Sequence, residues 1–219
     1  MALCFALLIL LTIPVAMRMN PPGDLALVRI AVGLRHDAIT QVIGILTFIG
    51  SAIPALLACA TLSVAEWLRM MPATKLNLWR AIQPRHIWRA AWPLLAYMGA
   101  LATNIALRIL IGRLRPEVDY IPHAYPELQA DFQRFSYPSG HAGATLVTFL
   151  TLVIVLWRYP HARWPALIFS ALTIAGVGFG RVYLGVHWPS DALAGYLIGA
   201  AWLMFALHLS QQTWFRKTG

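Results

Sequence analysis

The chain has 219 residues, 59% of them hydrophobic and only 11% charged, with a net charge of +9. A soluble domain spends about a quarter of its residues on charged side chains to cover its surface, so this composition excludes an ordinary soluble protein, a disordered chain and a coiled coil. Two cysteines exclude a disulfide-stapled module, and with so few polar residues to form a wetted basic face, the positive charge points to membrane topology rather than to nucleic acid.

A helix that crosses a bilayer needs about 20 mostly apolar residues, and six segments qualify. The first covers residues 2–17. No Lys or Arg precedes it and no small-residue cleavage pattern follows, so it reads as a helix rather than a signal peptide. The second lies within 39–68, the third within 92–111 and the fourth within 141–157; the fifth covers 164–180 and the sixth 191–209. Between the second and third, residues 75–91 mix Trp79, Ile82, Ile87 and Trp88 with basic side chains, a pattern suited to a helix lying in the interface. Cys4 and Cys59 fall in apolar stretches and read as small buried hydrophobes. The expected architecture is all-α: one integral-membrane domain over 1–219 with six transmembrane helices.

The loops orient it. With the N-terminus inside, Arg69, Lys75, Arg80, Arg85, Arg89, Arg158, Arg163, Arg216 and Lys217 face the cytoplasm. Arg18, Arg29, Arg35, Arg113 and Arg134 lie outside among most of the acids. Three basic residues remain, Arg108, Arg115 and Arg181, at the outer ends of spans.

Those three belong to clusters that topology alone does not explain, since an ionisable group at such depth is costly unless paired or wetted. Arg108 and Arg115 are seven apart, about two helical turns, which predicts that both project from one face of the third span, with Pro116 stopping the helix. Tyr137-Pro138-Ser139-Gly140-His141 precedes the fourth span. Ser139 is an N-cap candidate, Gly140 permits close approach of a ligand, and the exposed helix N-terminus is an anion site. Helix capping accounts for Ser139 and Gly140 but not for His141. Arg181 closes the fifth span and Asp191 opens the sixth, with Ser190 as a possible N-cap. His187 lies four residues before Asp191, so a carboxylate to ring N–H bond would set the imidazole tautomer and leave the other nitrogen to attack. His36, His86, His123, His161 and His208 read as solvated side chains.

Arg108, six residues, then Arg115-Pro116; Pro138-Ser139-Gly140-His141; and Arg181, five residues, His187, three residues, Asp191 resemble, in order and spacing, the three signature motifs of the type-2 phosphatidic acid phosphatase family. The motif core is 108–191. Two positions depart from the pattern: Arg108 stands where Lys is usual, and Gly180 where Ser usually precedes the arginine.

The resemblance implies a membrane lipid phosphatase or diphosphatase with its active site at the outer helix ends. His187 is the implied nucleophile, Asp191 orients it, and His141 protonates the leaving oxygen and then activates water. Arg108, Arg115 and Arg181, with Ser139 and the backbone at Gly140 and His141, hold the phosphate oxygens. No metal and no other cofactor is expected. The expected partners are a lipid phosphate and the bilayer, with no nucleic acid; oligomeric state is left open. The expected location is a bacterial inner membrane with the site facing the periplasm, and the loop 117–136 is the expected determinant of head-group choice. The residues leave three alternatives. A lipid-to-lipid phosphotransferase would use the same site. A non-enzymatic anionic-lipid transporter would use the arginines but not His187 with Asp191. A rhomboid-type serine protease would leave the arginines idle, and it needs Gly where Tyr137 stands.

Overall fold

The computed structural model describes residues 2–70, 84–116 and 135–215. Helices there are α1 (Ala2–Ala16), α2 (Asp24–Gly33), α3 (Asp37–Ile49), α4 (Ala52–Arg69), α5 (Pro84–Ala90), α6 (Trp92–Ile111), α7 (Gly140–Leu156), α8 (Pro160–Tyr183) and α9 (Pro189–Phe215). Four of them, α4, α6, α8 and α9, are long and apolar enough to cross a membrane; α1, α3 and α7 are shorter apolar helices. The chain is a multi-pass membrane protein. Side chains such as Ile53, Leu110 and Leu172 are exposed on these helices, as expected where lipid rather than water is the solvent.

Two expectations about the elements need correction. The stretch 39–68 is two helices, broken between Ile49 and Ala52, and only α4 has the length of a span. At the break a Cβ on Gly50 would lie 2.2 Å from Thr145 Oγ1 and 3.0 Å from Val177 Cγ1, so the chain there is pressed against α7 and α8. The third span ends at Ile111, the bound expected for it, but its helix does not run on to a stop at Pro116. Gly112 takes the left-handed conformation (φ +60°) and its N–H caps Arg108 O, a helix stop that glycine supports without a Cβ penalty. Arg115 therefore lies beyond the helix, in a short segment where Leu114 bridges to Phe135, and does not share a helix face with Arg108. Of the expected interfacial stretch 75–91, residues 84–90 are helical and the part up to 83 lies outside the described residues.

Helix α9 runs through the middle of the bundle, packed on α1, α6, α7 and α8. Its contact with α7 is backbone to backbone. A Cβ on Gly195 would fall 2.3 Å from Ser139 O, and one on Gly199 2.8 Å from Gly143 O. Small residues are what allow helices to approach this closely in a membrane. The approach brings the start of α7 onto the start of α9, where Ser139 N–H donates to Asp191 O at 2.9 Å. Toward the other end the core is Ala55, Cys59, Trp92, Ala96, Tyr97, Val147, Ile198 and Leu203. There Glu66, buried on α4, is paired with Arg69 at 2.9 Å and with Arg158 of the α7–α8 turn, which gives a carboxylate at a membrane boundary the partners it requires.

Candidate active site

The local folding rules that place the polar clusters are simple ones. Ser139 caps α7, its hydroxyl accepting from Ala142 N–H at 3.4 Å and its carbonyl accepting from Gly143 N–H at 3.2 Å. The N–H groups of Gly140 and His141 are left at the positive end of the helix dipole. Tyr137 is fully buried and its hydroxyl shares a 2.6 Å hydrogen bond with Thr12 of α1, which fixes the turn from behind. Helix α8 ends at Tyr183, and Gly185 (φ +71°) reverses the chain so that the N–H groups of Val186 and His187 both return to Arg181 O at 3.2 Å. That reversal sets His187 beside the end of the helix that carries Arg181.

Helix α9 opens with Pro189 in its first turn, where a missing N–H costs nothing. Ser190 is not its cap. Asp191 instead reaches back, its Oδ2 accepting from Trp188 N–H at 2.9 Å, the acidic half of a capping box. The same oxygen stands 3.5 Å from His187 Nδ1, an ion-pair distance with no hydrogen bond formed. Both side chains are essentially inaccessible to solvent.

Three arginines surround this pair. Arg108 comes from α6 and reaches Pro138 O at 3.4 Å, with its Nη2 3.7 Å from where a Cβ on Gly140 would sit. Arg115 comes from the segment after α6 and donates to Val186 O at 3.1 Å. Arg181 comes from α8 and is buried. His141 lies within electrostatic reach of His187 and all three. All eight residues singled out in the sequence thus gather at one end of the bundle. The electrostatics are those of an anion site. Burial, then the charges of Arg115, Arg181 and Arg108, push the His187 imidazole well below its ordinary range. Burial and Arg108 push Arg115 down to about 10, with Asp191 opposing; it still carries its charge at neutral pH. Among the described residues no three His, Cys, Asp or Glu side chains converge as metal ligands.

Comparison with known proteins gives the family of the chain. A family model for the PAP2 superfamily matches residues 89–215, more than half of the chain. The chain belongs to the PAP2 superfamily. Among curated relatives, an undecaprenyl-diphosphatase from Sulfolobus acidocaldarius is 32% identical over 51% of this chain and 50% of its own length. A lipid A 4'-phosphatase from Bacteroides thetaiotaomicron is 32% identical over 54% of this chain and 55% of its own. The chain thus spans about half the length of these PAP2 relatives. A transmembrane PAP2-type phosphatidylglycerolphosphate phosphatase from Bacillus subtilis has the same fold, with a TM-score of 0.74 over 100% of this chain and 98% of that one, at 19% identity.

Several residues at this cluster do not stand out in the sequence. Asn104, one turn before Arg108, is buried on α6 with its Oδ1 3.4 Å from the Cβ position of Gly140; a polar side chain inside a span was the available signal. Arg113, which the sequence places among the outer loop charges, is also inside the site. Its Nη1 donates to Asp191 Oδ1 and to Ser190 Oγ, each at 2.7 Å, and its Nη2 donates to Asp24 Oδ2 at 2.6 Å. Helix α2, which carries Asp24, has no counterpart among the expected spans. The loop 117–136, expected to choose the head group, lies outside the described residues except for Phe135 and Ser136.

Proposed function

We propose that this chain is a metal-independent phosphatase that hydrolyses a phosphomonoester or diphosphate of a membrane lipid, through a phosphohistidine on His187. One observation carries the reading: a buried imidazole whose Nδ1 faces a buried carboxylate, within a ring of three arginines and beside a second histidine at a helix N-terminus.

His187 Nε2, the nitrogen away from Asp191, attacks phosphorus while the bond from phosphorus to the leaving oxygen breaks. His141 delivers a proton to that oxygen. Water then attacks, the P–N bond breaks, and His141 takes the water's proton, so that each group ends as it began. Arg108, Arg115 and Arg181, with Ser139 and the N–H groups of Gly140 and His141, neutralise the equatorial oxygens, where most of the transition-state charge develops. Asp191, with Oδ2 3.5 Å from Nδ1, orients the ring electrostatically and balances the charge it gains. A site at the helix ends suits a lipid whose tail stays in the bilayer. The basic residues Arg69 and Arg158 at the opposite end favour a cytoplasmic location for that end, and hence a site facing the periplasm across a bacterial inner membrane. The names of the relatives add undecaprenyl diphosphate, lipid A and phosphatidylglycerophosphate as the head-group classes. Transfer to an acceptor lipid is the second reading, since it differs only in what enters after His187 is phosphorylated.

The test is phosphate release by the purified protein from undecaprenyl diphosphate, phosphatidylglycerophosphate, phosphatidic acid and lipid A, each with and without an acceptor lipid. Turnover of at least one lipid, inhibition by vanadate and indifference to EDTA are expected. Failure on all four lipids, or loss of activity on chelation, contradicts the proposal; phosphate appearing on the acceptor instead of in solution establishes transfer.

The low proton affinity of His187 gives a pH prediction. A lowered pKa keeps the ring neutral, and so nucleophilic, as pH falls. The acid limb of kcat/KM, which reports the free enzyme, is expected below about 6.5, the ordinary imidazole value, after correction for ionisation of the substrate phosphate. A limb above that value contradicts a nucleophile held neutral by burial and the arginines.

A further inference from the structure

The PAP2 match begins at residue 89, yet the second carboxylate on Arg113, the arginine that pairs with Asp191, comes from residue 24. Asp24, on α2, is 3% exposed. Its Oδ1 accepts from Ser190 N–H at 3.0 Å, and its Oδ2 accepts from both Ser190 Oγ–H and Arg113 Nη2. Arg113 Nη2 also donates to Asn20 Oδ1 at 3.1 Å. The guanidinium lies 4.9 Å from the Trp188 ring centroid, and Trp188 Nε1–H is itself held by Leu114 O at 3.0 Å. One buried cation thus bridges two buried carboxylates and leans on the residue between His187 and the start of α9.

The geometry of that bridge matters for Asp191. A guanidinium left alone with a carboxylate pairs with both of its oxygens, and such a pairing would take Oδ2 away from His187. Here Asp24 and Asn20 occupy Nη2, so that Arg113 holds Asp191 through Nη1 and Oδ1 alone. Oδ2 is left for Trp188 N–H and for His187 Nδ1. Asp24 also supplies the second negative charge, so the cation does not cancel the one that Asp191 offers the imidazole.

We infer that Arg113 and Asp24 are positioning residues for the phosphatase reaction. Asp24 restrains Arg113 to a single contact with Asp191, and Arg113 in turn aims Asp191 Oδ2 at His187. The inference rests on the reading of His187 as nucleophile. It makes the N-terminal helix α2, which lies before the matched family region, part of the working site.

The experiment is steady-state kinetics of Asp24→Asn and Arg113→Lys, alone and combined with Asp191→Asn, on whichever lipid of the four-lipid panel the wild type turns over fastest. His187→Ala is the control. Asn keeps the shape of Asp24 but turns an N–H donor toward either Ser190 or Arg113. Lys keeps the charge of Arg113 but cannot span both carboxylates. Each is expected to lower kcat by at least about tenfold, the scale of a misaimed catalytic group, with KM and the inhibition constant for inorganic phosphate unchanged within about twofold. In the Asp191→Asn background each should cost little more, because residues acting through one partner are not additive. A stability defect alone would lower the yield of folded protein and add its full effect in either background. Wild-type kcat in either folded variant, or full additivity with Asp191→Asn, overturns the inference while leaving the His187 mechanism standing. Activity retained in His187→Ala would instead overturn the mechanism. If Asp24→Asn does not yield folded protein, Arg113→Lys and Ser190→Ala, which removes one strut of the same network, carry the test by the same criteria.

Discussion

His187→Ala is expected to abolish phosphate release while the protein inserts and purifies as the wild type does. The ring is buried but sits in a turn, and the backbone bonds from Val186 and His187 to Arg181 O that shape this turn do not involve the side chain. What the variant loses is the group placed to form a bond to phosphorus with a carboxylate behind it. Water would have to attack directly, with the arginine cage and His141 intact, so a residual rate is expected, more than about 10³-fold below wild type. Phosphate release per folded molecule and binding of inorganic phosphate are the two measurements. Binding should persist within a few-fold, because Arg108, Arg115 and Arg181 remain. Retention of more than about one per cent of wild-type turnover would remove His187 from the chemistry.

The second large effect is expected from Asp191→Asn, for a reason specific to this geometry. Arg113 Nη1 donates to Oδ1, and an asparagine oxygen placed there keeps that bond. The amide nitrogen then takes the place of Oδ2, where it faces Trp188 N–H and His187 Nδ1. Donor would meet donor at Trp188, and the imidazole would respond by presenting Nδ1 as an acceptor and carrying its proton on Nε2. That is the wrong tautomer for attack, because the nitrogen nearest phosphorus no longer has a lone pair. An analogous Asp-to-Asn change in a catalytic triad costs about 10⁴ in kcat through the tautomer alone. A fall of about 10³ to 10⁴ in kcat with KM changed by no more than about threefold is expected here. A large rise in KM at constant kcat would show instead that Asp191 serves binding.

What can be read from the sequence depends on how far apart the partners lie along the chain. His187 and Asp191 are separated by one turn, Ser139 and His141 by two residues, and each group stands at a helix end marked by Pro or Gly. Residue types, spacing and helix signals therefore coincide in a short window, and the structure brings all of these residues to one end of the bundle. Arg113 and Asp24 meet across 89 positions. Nothing local distinguishes Arg113 from a loop charge, and Asp24 lies in a helix too short and polar to register as a span. The third span ends at its expected bound, residue 111, but not by the expected stop. Pro116 is a strong stop, but Gly112 acts earlier, and the choice between them is made by packing around the left-handed turn rather than by propensity. The break at residues 50–51 is likewise invisible in hydropathy, because both sides are apolar; it shows only in the contact of Gly50 with Thr145 and Val177.

The net charge of +9 acquires a different meaning once these positions are known. Arg113 leaves the set of outer loop charges and joins Arg108, Arg115 and Arg181, so four of the seventeen basic residues gather at the proposed site. One of the four is balanced by two carboxylates, while the other three surround the position proposed for the phosphate.

The central claim is that a phosphoryl group is carried on His187. It is tested most directly by mixing the purified protein with a lipid labelled with ³²P at its reactive phosphate, quenching in alkali within milliseconds, and mapping the labelled peptide. An acid-labile, alkali-stable label on the peptide that contains His187, absent from His187→Ala, is the predicted result. Turnover at a normal rate with no protein-bound label at any quench time, or a label on another residue, would contradict it.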